Sequence, residues 1–298
     1  MTNNHETPTC TKPMLGVVLS LFDGMSCGQI ALNRAGISYG KYYASEIDKH
    51  AIKVTQHNYP NTIQLGSVTE IKGTDLPQVD LLIGGSPCQG FSFSGKQLNF
   101  EDPRSKLFFE FVRLIKECKP KYWLLENVVM KKEWQNTISK ELCCEPIKIN
   151  SNLVSAQNRE RLYWTNIPNV IQPEDRGVFI EDILDTDFDD KYWLKEKSTE
   201  LLLNKVNINN APNIACIDVY NKKVKLDRKC PTLTLPHHNS IRLLQNGRIR
   251  KLTPNECEKL QNVPLNYTDC NLSDIHRYTM LGNGWTVDVI THIFGGLS

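Results

Sequence analysis

The run Gly84-Gly85-Ser86-Pro87-Cys88-Gln89-Gly90-Phe91-Ser92 puts a thiol in a Gly/Pro-rich turn directly after the apolar stretch Val79-Asp80-Leu81-Leu82-Ile83. A strand that feeds such a turn is how α/β enzymes present a nucleophile at a sheet edge. Ten cysteines occur in the chain, and only Cys88 has this setting; the bland alternative is a buried thiol in a tight turn. Two further groups converge on it. Glu126-Asn127-Val128 follows the strand-like Tyr122–Leu125 and so lies at the same carboxyl edge. A carboxyl group there can donate a hydrogen bond or a proton if burial raises its pKa. Gln157-Asn158-Arg159-Glu160-Arg161 precedes the strand-like Leu162-Tyr163-Trp164. Arg159 and Arg161, two positions apart on an extended segment, share a face and can hold a base carbonyl or a phosphate. Surface salt bridging is the other reading of the two arginines.

A second cluster points to a nucleotide-like ligand. Phe22-Asp23-Gly24-Met25-Ser26-Cys27-Gly28 follows the first apolar strand and opens a helix, where glycine lets a backbone approach a ligand closely. Glu46 closes the second strand, roughly 20 residues on, where an α/β nucleotide fold places an acid on ribose hydroxyls. The turn lacks G-x-G-x-x-G, so the pair suggests a ribose-bearing cofactor without a pyrophosphate. S-adenosylmethionine fits that description. Alternatively, Glu46 caps the helix that begins near Asp48.

The elements that must position these groups alternate. Gly16–Phe22, Lys41–Ser45, Val79–Ile83 and Tyr122–Leu125 read as buried strands, with helices over Gln29–Ala35 and Lys49–His57. Leu107, Phe108, Phe111, Val112, Ile115 and Cys118 recur at helical spacing between the last two strands. This rhythm predicts α/β architecture, a doubly wound, mostly parallel, Rossmann-like sheet. It breaks after Thr165, and Asn166 to about Asp227 is polar, with acidic and Asn-rich stretches. That segment reads as a small irregular second domain. Thr253-Pro254-Asn255-Glu256 is a capping box with proline at the first helical position, and Val287–Phe294 reads as a final helix returning to the sheet. The expected division is a disordered tail over 1–13, a catalytic and cofactor-binding domain over 14–165, a target-recognition region over 166–250, and C-terminal helices over 251–298.

Composition bounds the function. A chain of 298 residues with 40% hydrophobic and 23% charged residues buries an ordinary globular core. The longest apolar runs fall short of the ~18–20 residues of a membrane span, and Met1–Pro13 lacks a signal-peptide core. The cysteines are scattered, with no C-x-x-C pair for zinc, so free thiols, mostly in the core, and a cytoplasmic setting are expected. No metal site is expected. A net charge of +2 neither demands nor excludes nucleic acid. Basic clusters at Lys222, Lys223, Lys225, Arg228 and Lys229, and at Arg242, Arg248, Arg250 and Lys251, lie in the C-terminal third.

Taken in order, Phe22–Gly28, Glu46, Pro87-Cys88-Gln89, Glu126-Asn127-Val128, Gln157–Arg161, Arg228–Thr234 and Gly282-Asn283-Gly284 resemble the DNA cytosine-5 methyltransferases. The likeness spans nearly the whole chain and weakens across Asn166–Asp227. Leu107-Phe108-Phe109-Glu110-Phe111 and Trp123–Val129 are similar to the animal de novo branch. The length leaves no room for chromatin-reading domains, so a compact bacterial or phage enzyme is expected, near the nucleoid. It would be the modification half of a restriction system, with a cognate endonuclease, or a solitary phage-type enzyme. A monomer is favoured.

The resemblance implies that the Cys88 thiolate adds to C6 of a cytosine flipped out of double-stranded DNA. Glu126 would engage N3 and the exocyclic amine. Arg159 and Arg161 would hold the O2 side and lower the thiol pKa. C5 would then take a methyl group from S-adenosylmethionine, leaving S-adenosylhomocysteine. Cofactor contacts implied by position are Phe22, Asp23, Gly24, Met25, Glu46 and Ile47, then Ser67, Val68, Pro87, Leu107, Asn283 and Trp285. Ser67 stands where the family usually has an aspartate on the adenine amine, which predicts weaker cofactor binding. DNA-side residues are Gln89, Ser92, Asn127 (also holding the Cys88 loop), Arg228, Thr234 and Arg242. Ser92–Arg104 would be a mobile lid, and the basic clusters would meet phosphates. One branch of the family acts on tRNA, and nothing here resembles that branch more than the DNA one. Intact Cys88, Glu126 and Arg159 argue against a dead, DNA-binding paralogue.

Overall fold

Val17 to Leu21 are buried on both faces, as a strand inside a parallel sheet requires. The computed structural model describes residues 14–87, 103–235 and 241–297. Strand β1 (Met14–Leu21) is followed by α1 (Cys27–Ala35), β2 (Ser38–Ser45), α2 (Lys49–Asn58), β3 (Ile63–Gln64) and β4 (Leu81–Gly84). Helix α3 (Pro103–Cys118), β5 (Tyr122–Val128), α4 (Lys132–Leu142), β6 (Ile147–Asn150) and β7 (Glu160–Thr165) complete a seven-stranded sheet. Its order is β3-β2-β1-β4-β5-β7-β6, parallel except at β7. The chain runs from β1 to one side and returns to β4 on the other. The carboxyl ends of β1 and β4 therefore flank the crevice where such sheets bind ligands.

Both faces of the sheet are covered. Leu15 and Val18 join one core with Ile30 of α1, Val54 of α2 and Ile290 of α8 (Val287–Phe294). Val17, Leu19 and Leu21 join the other with Phe108 and Phe111 of α3 and Ile138 of α4. Two ends follow local chemistry. Gly36 closes α1 in the left-handed region, and the Thr253/Glu256 capping box opens α6 (Pro254–Leu260). Helix α7 (Asp274–Asn283) lies between α6 and α8.

Three sequence expectations change. First, β5 does not stop at Leu125. It runs through Val128 because antiparallel β7 pairs with it as far as Val128↔Arg161, so Glu126 and Asn127 sit within the strand. Second, the segment after Thr165 is not irregular throughout. Helix α5 (Glu196–Leu203), β8 (Ile214–Asp218) and β9 (Lys223–Val224) join β10 (Ile241–Gln245) and β11 (Arg248–Arg250). These strands make an antiparallel sheet, β11-β10-β8-β9, over a small core of Leu202, Val206, Ile217, Leu244 and Ile249. Third, the backbone at Pro103 and Arg104 is already helical, so those two residues belong to α3 and not to a lid. The expected tail over 1–13 and the rest of the expected lid, 92–102, lie outside the described residues.

Candidate active site

The end of β1 makes a turn that costs backbone strain. Phe22 (φ 57°) and Ser26 (φ 65°) both adopt the left-handed conformation, rare for residues with a side chain and concentrated at functional sites. The turn presents Asp23 and the Gly24 amide to a cavity of about 390 Å³. Beside it, β2 ends at Ser45, and the next residue, Glu46, lines the same cavity. Its Oε2 accepts the Gly24 N–H at 2.8 Å, and its Oε1 accepts the N–H groups of Ile47 and Asp48 at 2.7 and 2.8 Å. A carboxylate offers about four lone-pair sites, so a place remains for a ligand hydroxyl. Helix α2 has its own cap, Asp48, which accepts from the His50 N–H. Capping is thus not the task of Glu46.

Asp23 is the most perturbed acid in the cavity wall. Its Oδ1 accepts from the Tyr42 hydroxyl at 2.8 Å, while its buried Oδ2 has no hydrogen-bond partner among the described residues. Burial pushes the carboxyl from 3.8 up to about 6, against the pull of the nearby Ser20, Tyr42 and Ser26 hydroxyls. Tyr42 carried no signal in the sequence beyond its place in a strand. Cys27 also lines the cavity, and burial pushes its thiol up to about 12, so it is a neutral packing group. Ser67 caps a short 3₁₀ turn, accepting the Thr69 N–H at 3.4 Å and sharing a hydrogen bond with Thr69 Oγ1 at 2.8 Å.

The opposite end of the same cavity holds Glu126, Arg159 and Arg161. Glu126 Oε1 meets Arg161 Nε at 3.0 Å, and its Oε2 accepts from Trp285 Nε1 at 3.1 Å. Arg159 is 4% exposed. Its guanidinium donates to the carbonyls of Leu233, Gly282 and Gly284 at 2.9–3.1 Å. Both arginines therefore face inward, and surface salt bridging does not describe them. Asn127 donates through Nδ2 to Ser86 Oγ at 3.1 Å and accepts the Val128 N–H through Oδ1. It thereby ties β5 to the turn after β4, one residue before Pro87. A Cβ on Gly282 would come 2.6 Å from the Thr234 carbonyl, so only glycine allows that segment to pass behind the cavity.

A profile of the C-5 cytosine-specific DNA methylase family matches residues 17–298. The chain belongs to this family. It is 32% identical over 275 residues to the type II methyltransferase M1.ScrFI of Lactococcus lactis subsp. cremoris, covering 83% of this chain and 69% of that protein. It is 27% identical over 304 residues to the type II methyltransferase M.HhaI of Haemophilus parahaemolyticus, covering 92% of each. Among solved structures, the Entamoeba histolytica methyltransferase EhMeth superposes with a TM-score of 0.71 at 21% identity, over 95% of this chain and 97% of that one. That likeness concerns the fold.

In this methylase the twelve expected cofactor residues, from Phe22 to Trp285, all line the one cavity together with Glu126, Asn127, Arg159 and Arg161. Thr279 and Met280 of α7 line it too; the sequence carried no sign of them, because a helix face acquires a ligand only through packing. Cys88, Gln89 and Ser92 lie outside the described residues. Arg228, Thr234 and Arg242 do not line the cavity. Arg228 pairs with Glu181 at 2.9 Å and stacks over Phe179. Arg242 is partly buried in β10 and donates to the Ile241 carbonyl, and Thr234 is exposed. The basic clusters divide. Lys229 is buried with its ammonium on the carbonyls of Asn152, Ser155 and Val178. Arg250 is fully buried against Glu256 at 2.6 Å. Neither of these two can meet a phosphate. Among the described residues no group of three or more His, Cys, Asp or Glu could hold a metal ion, and no helix is long and apolar enough to cross a membrane.

Proposed function

We propose that this methylase, a DNA cytosine-5 methyltransferase, works through Cys88 on a cytosine flipped from duplex DNA, with Glu126, Arg159 and Arg161 as its partners. The observation that carries the reading is the two-ended cavity. One end offers Glu126 and Arg161 as a carboxylate–guanidinium pair, and the other offers Glu46 and Asp23. Pro87, in the wall between them, immediately precedes Cys88 in the chain.

The chemistry follows from the electronics of cytosine, a poor electrophile at C6 and a poor nucleophile at C5. Thiolate addition forms the S–C6 bond and pushes the electron pair toward N3 and C5. Glu126, held by one donor on each oxygen, delivers a proton to N3 as the electron pair moves there and accepts from the exocyclic amine. Arg161 keeps that carboxyl aimed, and the Arg159 guanidinium adds positive field to the cavity it lines. With the methyl group on C5, water takes the C5 proton, the C6–S bond breaks to release the Cys88 thiolate, and N3 returns its proton to Glu126 as the aromatic ring is restored.

S-adenosylmethionine supplies the methyl group as a sulfonium-borne electrophile. The residues fit it. Glu46 retains lone-pair capacity for a ribose hydroxyl, and the orphaned Asp23 Oδ2 suits a cationic ligand. Ser67 offers an uncharged acceptor at the adenine end. The small sheet is the DNA-reading element, with exposed Lys222, Lys223 and Arg248 available to phosphates.

Transfer of labelled methyl from S-adenosylmethionine to duplex DNA tests the proposal. Incorporation into tRNA without incorporation into DNA overturns it. A covalent adduct with 5-fluorocytosine duplex, present in wild type and lost in Cys88→Ser, is the expected signature of the nucleophile.

A further inference from the structure

We propose that Trp285 is a positioning residue for the base-binding carboxylate, a single side chain that both walls the cofactor pocket and orients Glu126. The proposal rests on the role given to Glu126 above. A glutamate side chain has three rotatable bonds and loses rotamer freedom when it is fixed. Strand β5 places only its backbone, paired at Glu126↔Tyr163. Its two oxygens are then fixed from different parts of the chain. Arg161 of β7 holds Oε1 at 3.0 Å, and the Trp285 indole N–H holds Oε2 at 3.1 Å. Glu126 is 9% exposed, so water competes weakly for this carboxyl oxygen and the indole N–H that holds it.

The position of the indole is itself enforced. The Gly284 carbonyl, one residue before Trp285, accepts from Arg159 at 2.9 Å and from Gln261 at 3.1 Å. Thr286, one residue after, donates to Gln261 Oε1 at 2.9 Å. The two arginines of Gln157–Arg161 thus converge on one carboxylate, Arg161 directly and Arg159 through the segment that carries Trp285. Gly85 supplies the clearance. A Cβ there would come 2.9 Å from Trp285 Nε1 and 3.0 Å from Glu126 Oε2, so any side chain would wedge into this hydrogen bond. A glycine at that point in the turn after β4 is explained by the contact it permits, and Trp285 serves more than the cofactor wall.

The test uses the full chain and separates the ring of Trp285 from its N–H. Trp285→Phe keeps an aromatic wall and removes the donor. Affinity for S-adenosylhomocysteine, measured by calorimetry, is expected within about threefold of wild type, while single-turnover methyl transfer to duplex DNA falls about 10-fold, the loss of one buried hydrogen bond. Gly85→Ala, with the indole intact, is expected to give the same split. Trp285→Ala is expected to lose both affinity and rate. Retained affinity with transfer within twofold of wild type in Trp285→Phe overturns the proposal, as does loss of affinity and rate together in that variant. Wild-type protein that transfers no methyl to DNA defeats the functional reading itself, a result visible before any variant is made.

Discussion

Replacing Asp23 with Asn should reshape the pH dependence of stability in a way no surface carboxylate would. In the folded chain Asp23 titrates near 6 in place of 3.8, chiefly because burial disfavours its charge. Between those values the folded state holds more protons than the unfolded chain, so stability falls as pH rises through the interval. Below pH 3.8 the carboxyl is neutral in both states and the penalty is absent. Above about 6 it is complete, at about 3 kcal/mol for a displacement of this size. Asn is isosteric and uncharged, and it can still accept from the Tyr42 hydroxyl. Urea unfolding of both proteins in steps from pH 4 to 7.5 isolates the residue, because every other group cancels in the difference. The variant should gain about 2.4 kcal/mol relative to wild type between pH 4 and 7, the rest of the penalty being already present at pH 4. Saturating S-adenosylhomocysteine, whose ammonium is cationic, should flatten the wild-type curve more than the variant's. Parallel curves for the two proteins without ligand would refute the reasoning, since they would mean that Asp23 is ionised at no cost.

Ser67→Asp should tighten S-adenosylmethionine binding about fivefold, because a charged acceptor replaces a hydroxyl partly committed to Thr69; titration calorimetry showing no gain would remove Ser67 as the weak point of the pocket. Glu256→Ala should destabilise the fold by about 3–5 kcal/mol in urea unfolding, by leaving Arg250 buried without its partner. Arg250→Met with Glu256→Leu should recover much of that loss, though not the capping contribution of Glu256 to α6. Equal stability of the single and double variants would mean that the cap, not the ion pair, dominates.

What was legible from the sequence was local. Apolar runs and helical spacing located β1, α2 and α8 closely, because periodicity and capping act within a few residues. Of the cavity lining, Phe22–Met25, Glu46 and Glu126 follow from a parallel sheet that delivers each strand's carboxyl end to one edge, and the other expected cofactor residues were named through the family resemblance. The Glu126 side chain was placed at that edge although β5 was read too short, its last residues being set by pairing with β7. The sheet of β8 to β11 escaped the reading because its strands are five residues or shorter, and their register depends on partners far apart in the chain, such as Asp218↔Ile241.

Charge was the least legible property. Lys229 and Arg250 look like their exposed neighbours in sequence, yet one is spent on three carbonyls from two segments and the other on a buried carboxylate. The sequence by itself determined which chemistry the chain carries, since residue type and order name a thiol, a carboxylate and two guanidinium groups at strand ends. Tertiary structure decided which charges face that chemistry and which are locked inside. The free energy of a charge depends on its solvation and partners, and here the chain brings those partners together from distant positions.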